Sequence, residues 1–414
     1  MSDLQRVGIG IIGLGPRGRT LLPSLLELQA HGEVEVTAVC DVRQDRIEQY
    51  QALFDAKGLK RPAAYQDYRQ LLDDARVDGV LAPTSWNSHL RIACDAMRKG
   101  KYVGIEVGGA ASIDELWELV HASESTGVSC MMLENVCYAR DELMVLNMVR
   151  QGLFGELVYC TCGYEHDLRN GLVQEYDARK ERVVHNEFRN GDLYPTHGLG
   201  PISKILGINR GNRFLTLTSH ATKARSMSAS MMQHLGKATH FNCGDMITTV
   251  IHCANGENIA MTRSISLPRP YSRNCRVQGT KGLWLEDAKG VFIDGMSPTH
   301  NEIDVAGAPY EVHEWTPIDD RLYEKFDHPI WQEYRKHPFG GHNGIDALVL
   351  RAFADAIRRQ VPTPIDVYDC AAWMCVTCLS EDSIAMGGHP VPVPDFTNGR
   401  WIERKPLTGG KWDL

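Results

Sequence analysis

The chain has 414 residues, too many for one ordinary domain, and its 43% hydrophobic and 23% charged content is that of a globular protein with ample core. A net charge of −8, without a run of clustered Lys and Arg, argues against a nucleic-acid partner. The twelve cysteines are scattered, which suits a reducing compartment better than a disulfide framework.

The first apolar run, 7–12, is short and contains glycine, so it reads as a strand and not as a leader or membrane span. No charged-then-apolar segment precedes it. The expectation is a cytoplasmic chain, or an exported one if a leader has been trimmed, with no membrane partner. The run leads into Gly13-Leu-Gly15-Pro16-Arg17-Gly18, and helical spacing follows over 20–30. Further strands are expected over 33–39, 77–81, 102–106 and 129–133, with helices over 45–53, 89–99 and 113–125. This β-α-β alternation implies a doubly wound parallel sheet. A helix-like stretch then closes a first domain, 1–150.

Beyond it, strands follow one another without helices between them, over 155–164, 214–220, 246–254, 258–266, 276–278 and 283–285. That pattern implies an antiparallel or mixed open sheet. Helices are expected over 197–206, 345–359 and 369–386, and the Pro-rich end 389–396 as a packed, extended tail. The fold class is therefore α/β, a Rossmann domain followed by an α+β domain, 151–414, that holds substrate and mediates oligomerisation. Some of its C-terminal helix packs back near the first domain. The Cys375-Val-Thr-Cys378 spacing lies in an apolar helical stretch with no complementary pair, so it reads as two buried thiols.

A lone glycine motif is a weak signal. Here it follows a strand, opens a helix and precedes a second strand ending in Asp41, the context of a dinucleotide site. Gly13 serves the turn, Gly15 the approach of the pyrophosphate, and Gly18 close helix–strand packing. The helix start offers N–H groups to phosphate. Asp41 suits ribose hydroxyls and repels a 2′-phosphate, which favours NAD over NADP, although nearby Arg43 blunts that preference. Ligands of such sheets bind at the carboxyl ends of the strands. Those ends carry Trp86-Asn87-Ser88-His89, Glu106-Val107 and Glu134-Asn135. Asn135 either meets the nicotinamide or its ribose or caps a helix.

These residues resemble the Gfo/Idh/MocA oxidoreductases, whose dehydrogenases carry Glu-Lys-Pro where this chain has Glu106-Val107-Gly108. The missing Lys weakens a plain sugar dehydrogenase, which stays as the alternative function. From about Gly13 to Asp346 the sequence more closely resembles glycoside hydrolase family 109, the NAD-dependent α-N-acetylgalactosaminidases. The matching elements are Trp86-x-x-His89, Leu133-Glu134-Asn135, Tyr164-x-His166-Asp167-Leu-Arg169, Arg182-x-x-His185, Tyr194-Pro195-Thr196-His197 and Pro268-Arg-Pro-Tyr271. Gly108-Gly109, Glu181, Asp192 and His342-Asn343-Gly344 depart from the family pattern.

The resemblance implies hydrolysis by transient oxidation. Bound NAD takes a hydride from carbon 3, the carbon 2 proton is lost with the aglycone, water adds, and the hydride returns. Such chemistry needs proton-transfer groups rather than a carboxylate pair. Tyr164, His197 and Tyr271 are the catalytic candidates; Arg182, Tyr194, Pro195 and Thr196 join them as substrate-binding candidates. The cofactor candidates are Gly13, Gly15, Pro16, Arg17, Gly18, Asp41, Trp86, Asn87, Ser88, His89, Glu106, Val107, Asn135 and Tyr194. An imidazole titrates near neutral pH, which suits His197 to take and return a proton. His166, Asp167 and His185 lack the spacing of a metal site, so no metal is expected. A homo-oligomer is expected through the open sheet.

Overall fold

The computed structural model describes residues 6–407 and 410–414; residues 1–5, where a leader would begin, lie outside them. Six parallel strands form the first sheet: Ala63–Tyr65, Val34–Cys40, Val7–Ile12, Gly79–Ala82, Tyr102–Ile105 and Cys130–Met132, in spatial order. The chain runs outward from the central strand Val7–Ile12 in both directions, so the strand order reverses beside it. That reversal opens a crevice at the carboxyl ends. Strand Val7–Ile12 is buried at every position because helices cover both faces. The first helix, Pro16–Ala30, begins four residues earlier than helical spacing suggested, since Pro16 fits the first turn of a helix.

The second sheet has nine strands. In spatial order they are Thr316–Pro317, Gly290–Ile293, Gly282–Leu285, Arg276–Gly279, Leu157–Glu165, Asn258–Ser264, Ile247–Cys253, Phe214–Ala221 and Val391–Pro392. It is mixed: Leu157–Glu165 runs parallel to Asn258–Ser264, and the other neighbours are antiparallel. The Pro-rich tail supplies an edge strand, where a missing N–H costs least. Six short helices were not legible in the sequence: Tyr68–Leu72, Arg169–Glu175, Glu181–Phe188, Ser226–Leu235, Asp320–Phe326 and Pro329–Tyr334. The hairpin Thr299–Ile303 with Pro309–His313 was missed because its strands are almost wholly exposed and carry no apolar alternation. Among the described residues no helix is long and apolar enough to cross a membrane.

Two late helices tie the sheets together. Ile345–Arg359 packs on Pro16–Ala30, and Val367–Ala385 touches both Ile113–Thr126 and strand Phe214–Ala221. Val367–Ala385 is buried on all sides from Val367 to Ser380, which explains why its sequence there shows no separate polar face. Cys375 and Cys378 are buried in it, and all twelve cysteines are free and buried. At its start Asp369 completes a capping box with Asp366. Asp369 also accepts from Lys204 Nζ (2.6 Å) and Arg210 Nη1 (2.7 Å), all three side chains being buried. Burial alone would raise the Asp369 carboxyl; Arg210 and Lys204 outweigh it and hold it well below the usual range. Lys204 belongs to the helix Thr196–Ile205, so this ion cluster fixes the helix that carries His197. Replacing Asp369 with Ala leaves buried Lys204 without a carboxylate and Arg210 with Asp366 alone, and we predict a loss of roughly 3–5 kcal/mol in urea denaturation, with Asp369→Asn intermediate.

Candidate active site

The glycine loop lies where the first strand meets the first helix. Gly13 has φ +103°, and a Cβ there would stand 2.9 Å from the Pro83 carbonyl oxygen; one on Gly18 would stand 2.2 Å from that of Gly13. Both positions demand glycine. A Cβ on Gly15 would meet only Arg46, at 3.8 Å, so the space beside Gly15 is open. No side chain caps the helix. Its first-turn N–H groups thus keep their bonding capacity for an anion. Asp41, at the end of the second strand, accepts from Leu14 N (2.8 Å) and Arg43 N (3.0 Å). Arg46 approaches its Oδ2 at 3.3 Å, and a carboxylate retains acceptor sites beyond these. This donor set fits the diphosphate and ribose of a dinucleotide.

A cavity of about 730 Å³ continues from this loop. Pro16, Arg17, Trp86, Glu106, Val107 and Asn135 line it from the first sheet, and Tyr164, Arg182, Tyr194, His197 and Tyr271 from the second half of the chain. Sequence positions far apart are thus brought to one chamber. Arg17 donates to Glu106 (2.7 Å) and to both oxygens of Asp346 (3.1 and 3.2 Å). Burial pushes the Glu106 carboxyl up despite Arg17. Trp86 donates its Nε1–H to the Val107 carbonyl (3.2 Å), and a Cβ on Gly108 would collide with that indole at 2.3 Å. The Gly108 departure therefore has a packing reason. Glu181, another departure, accepts from Asn87 N (3.2 Å).

Two Tyr–His pairs share one wall. The Tyr164 hydroxyl is 3.2 Å from His166 Nδ1, and the Tyr194 hydroxyl is 3.4 Å from His197 Nε2. The two tyrosine rings stand 4.6 Å apart. His197 Nδ1 is 2.7 Å from Glu134 Oε1, which also accepts Val136 N–H (3.1 Å). Glu134 is fully buried. Because Glu134 acts as acceptor, His197 donates through Nδ1, leaving Nε2 as the acceptor beside Tyr194. Burial pushes the Tyr164 and Tyr194 phenols up, with Arg182 opposing. Burial and then Arg182 lower His166, which is therefore neutral near pH 7. Tyr271 stands at the mouth, 45% exposed.

Asn135 does not cap a helix. Glu134 caps the turn Asn135–Tyr138, while Asn135 Nδ2 donates to Asp346 Oδ1 (2.8 Å). Ser88, Pro195 and Thr196 do not line the cavity; Pro195 and Thr196 are buried behind it. His89 also lies behind the wall, fully buried, with neither ring nitrogen hydrogen-bonded. Sequence reasoning missed Asp346, a solitary acid at a helix start. It weighed His166 only as a metal ligand and overlooked Arg273, a cavity residue held by Glu142 and Glu286.

The six-stranded sheet with its glycine loop defines a nucleotide-binding oxidoreductase scaffold, and the second half of the chain adds a wall of tyrosines and histidines to its cavity. Residues 7–134 match the oxidoreductase family with an NAD-binding Rossmann fold, and residues 138–403 match the glycosyl hydrolase 109 C-terminal domain. The chain is 39% identical to the alpha-N-acetylgalactosaminidase of Tannerella forsythia, covering 96% of this chain and 87% of that protein. It is also 39% identical to a glycosyl hydrolase family 109 protein of Stenotrophomonas maltophilia, covering 97% and 92%. The fold is shared with an NAD binding oxidoreductase from Klebsiella pneumoniae, at TM-score 0.73 and 18% identity over 94% of this chain and all 100% of that one. The chain belongs to glycosyl hydrolase family 109 and is a glycoside hydrolase.

Burial lowers His89 from 6.5 to about 4. Between those values the unfolded chain binds a proton that the folded chain refuses, so stability falls as pH falls, by about 1.4 kcal/mol per pH unit for this residue. We predict that His89→Gln flattens the dependence of the urea midpoint on pH across that window. An unchanged slope would show that His89 is not held neutral by burial.

Proposed function

We propose that this glycoside hydrolase works with a resident NAD. It cleaves a terminal α-N-acetylgalactosaminide, or a closely related glycoside, by oxidation at carbon 3, elimination, water addition and re-reduction. The relative from Tannerella forsythia is, by its name, an α-N-acetylgalactosaminidase, and so acts on that class of sugar. When bound, the nicotinamide supplies hydride acceptance and return at carbon 3. The observation that carries the reading is His197, gripped by buried Glu134, in the same cavity as Arg17 and Glu106 of the dinucleotide end.

Each protein group then has a place. His197 Nε2 takes the carbon 3 hydroxyl proton and gives it back, while Glu134 steadies the imidazolium. Tyr164 is buried and stays protonated at rest, so it becomes a base only as its own proton passes to His166 Nδ1, 3.2 Å away. That pair takes the carbon 2 proton. Tyr271, at the mouth, donates to the leaving oxygen and later orients water. Arg182, 5.1 Å from the Tyr194 ring centre, holds a hydroxyl or the acetamido oxygen. Val107 lines the cavity where the resembling dehydrogenases place their Lys, which speaks for hydrolysis over net oxidation. One face of strand Ile247–Cys253 is uncovered, with Thr248, Val250 and His252 exposed, and we propose that this face of the nine-stranded sheet pairs with a second copy.

Enzyme as purified, given p-nitrophenyl α-N-acetylgalactosaminide without added NAD, is expected to release nitrophenol with no net NADH. Stoichiometric NADH from a free sugar would establish the dehydrogenase alternative instead. His197→Ala and Tyr164→Phe are each expected to lower kcat by roughly 10²–10⁴-fold while nucleotide stays bound. Light scattering is expected to give twice the chain mass or a multiple of it; a monomer would remove the pairing.

A further inference from the structure

Asp346 is completely buried in the first turn of Ile345–Arg359, and both of its oxygens are fully engaged. Oδ1 accepts from Asn135 Nδ2 at 2.8 Å and Arg17 Nη2 at 3.1 Å; Oδ2 accepts from Arg17 Nη1 at 3.2 Å and His342 Nδ1 at 2.7 Å. One carboxylate therefore joins the glycine loop, the turn after the sixth strand and a segment more than 300 positions later in the chain. Arg17 is gripped from its other side by Glu106.

The segment before Asp346 has an unusual backbone. Gly340, His342, Asn343 and Gly344 have φ of +98°, +50°, +56° and +95°. Left-handed backbone at non-glycine residues is held only by surrounding structure. Here the restraints are Ser24 Oγ of the first helix, 3.4 Å from Gly341 N, and Tyr334, whose hydroxyl donates to the Phe339 carbonyl (2.7 Å) and accepts Phe339 N–H (3.0 Å). So fixed, His342 and Asn343 line the same cavity wall as Pro16, Arg17 and Thr20, beside the uncapped helix start. A borrowed hydride must be returned by the molecule that took it. A cofactor that left in mid-cycle would strand an oxidised sugar, so retention is a chemical requirement of the route.

We propose that residues 340–346 are a clasp on the dinucleotide cleft. Asp346 is a positioning residue that sets Arg17 and Asn135 in the cleft wall, and the His342–Asn343 turn it anchors blocks cofactor exchange between turnovers. The inference rests on the NAD reading above. Its test measures exchange, not activity: purified protein is mixed with excess fluorescent etheno-NAD, and uptake is followed after gel filtration. Wild type is expected to keep its own nucleotide and exchange it more slowly than it turns over. Asp346→Asn and His342→Ala are expected to exchange at least about tenfold faster. His342 is 60% exposed, so its variant reports even if Asp346→Asn fails to fold. Wild-type exchange rates in the folded variants overturn the clasp and leave the NAD reading standing; free exchange in wild type overturns the clasp and, with it, the claim that the NAD is resident. A wild type that neither carries nor takes up NAD overturns both.

Discussion

The site depends on a carboxylate that the fold has buried completely. Glu134 ends the sixth strand of one sheet and holds His197, which belongs to a helix packed against the other. A buried carboxylate costs several kcal/mol unless hydrogen bonds compensate it. The helix Thr196–Ile205 must therefore present its imidazole at one position, and its sequence allows this. A Cβ on Gly200 would stand 2.9 Å from the Glu134 side chain, so glycine is what lets the helix come close. At the other end of the helix Lys204 is locked to Asp369. Helix register, imidazole tautomer and the orientation of the cavity wall all follow from the His197–Glu134 hydrogen bond and the Lys204–Asp369 ion pair.

A glycosidase built this way has no need of two facing carboxylates. Among the described residues that line the cavity the only acid is Glu106, and it is committed to Arg17. A paired-carboxylate mechanism asks for two acids placed across the scissile bond. In their place the wall offers tyrosines and histidines in hydrogen-bonded pairs, the equipment for moving protons at hydroxyl and carbon centres. Under the proposed transient oxidation, the oxidoreductase scaffold and the hydrolase membership serve one mechanism.

Much of this was legible in the sequence, for physical reasons. Strand Val7–Ile12, its glycine loop and Asp41 announce themselves because a dinucleotide turn tolerates few residue types. Trp86, Glu106 and Asn135 could be placed because ligands gather at strand ends. Tyr164 and His197 were found only through resemblance to a family, since single aromatics carry no periodic signal. What stayed hidden is non-local. Asp346 looks like any acid in a first helical turn, and only folding shows that its partners are Arg17 and Asn135. His166 looked like a failed metal ligand and proved to be the neighbour of Tyr164.

The most direct test of a transient oxidation is the fate of the hydrogen on carbon 2. Hydrolysis of the glycoside in heavy water, followed by NMR of the released sugar, should show deuterium at carbon 2 and the original hydrogen retained at carbon 3. A sugar released with carbon 2 unlabelled, together with no kinetic isotope effect from deuterium placed at that carbon, would contradict the elimination route.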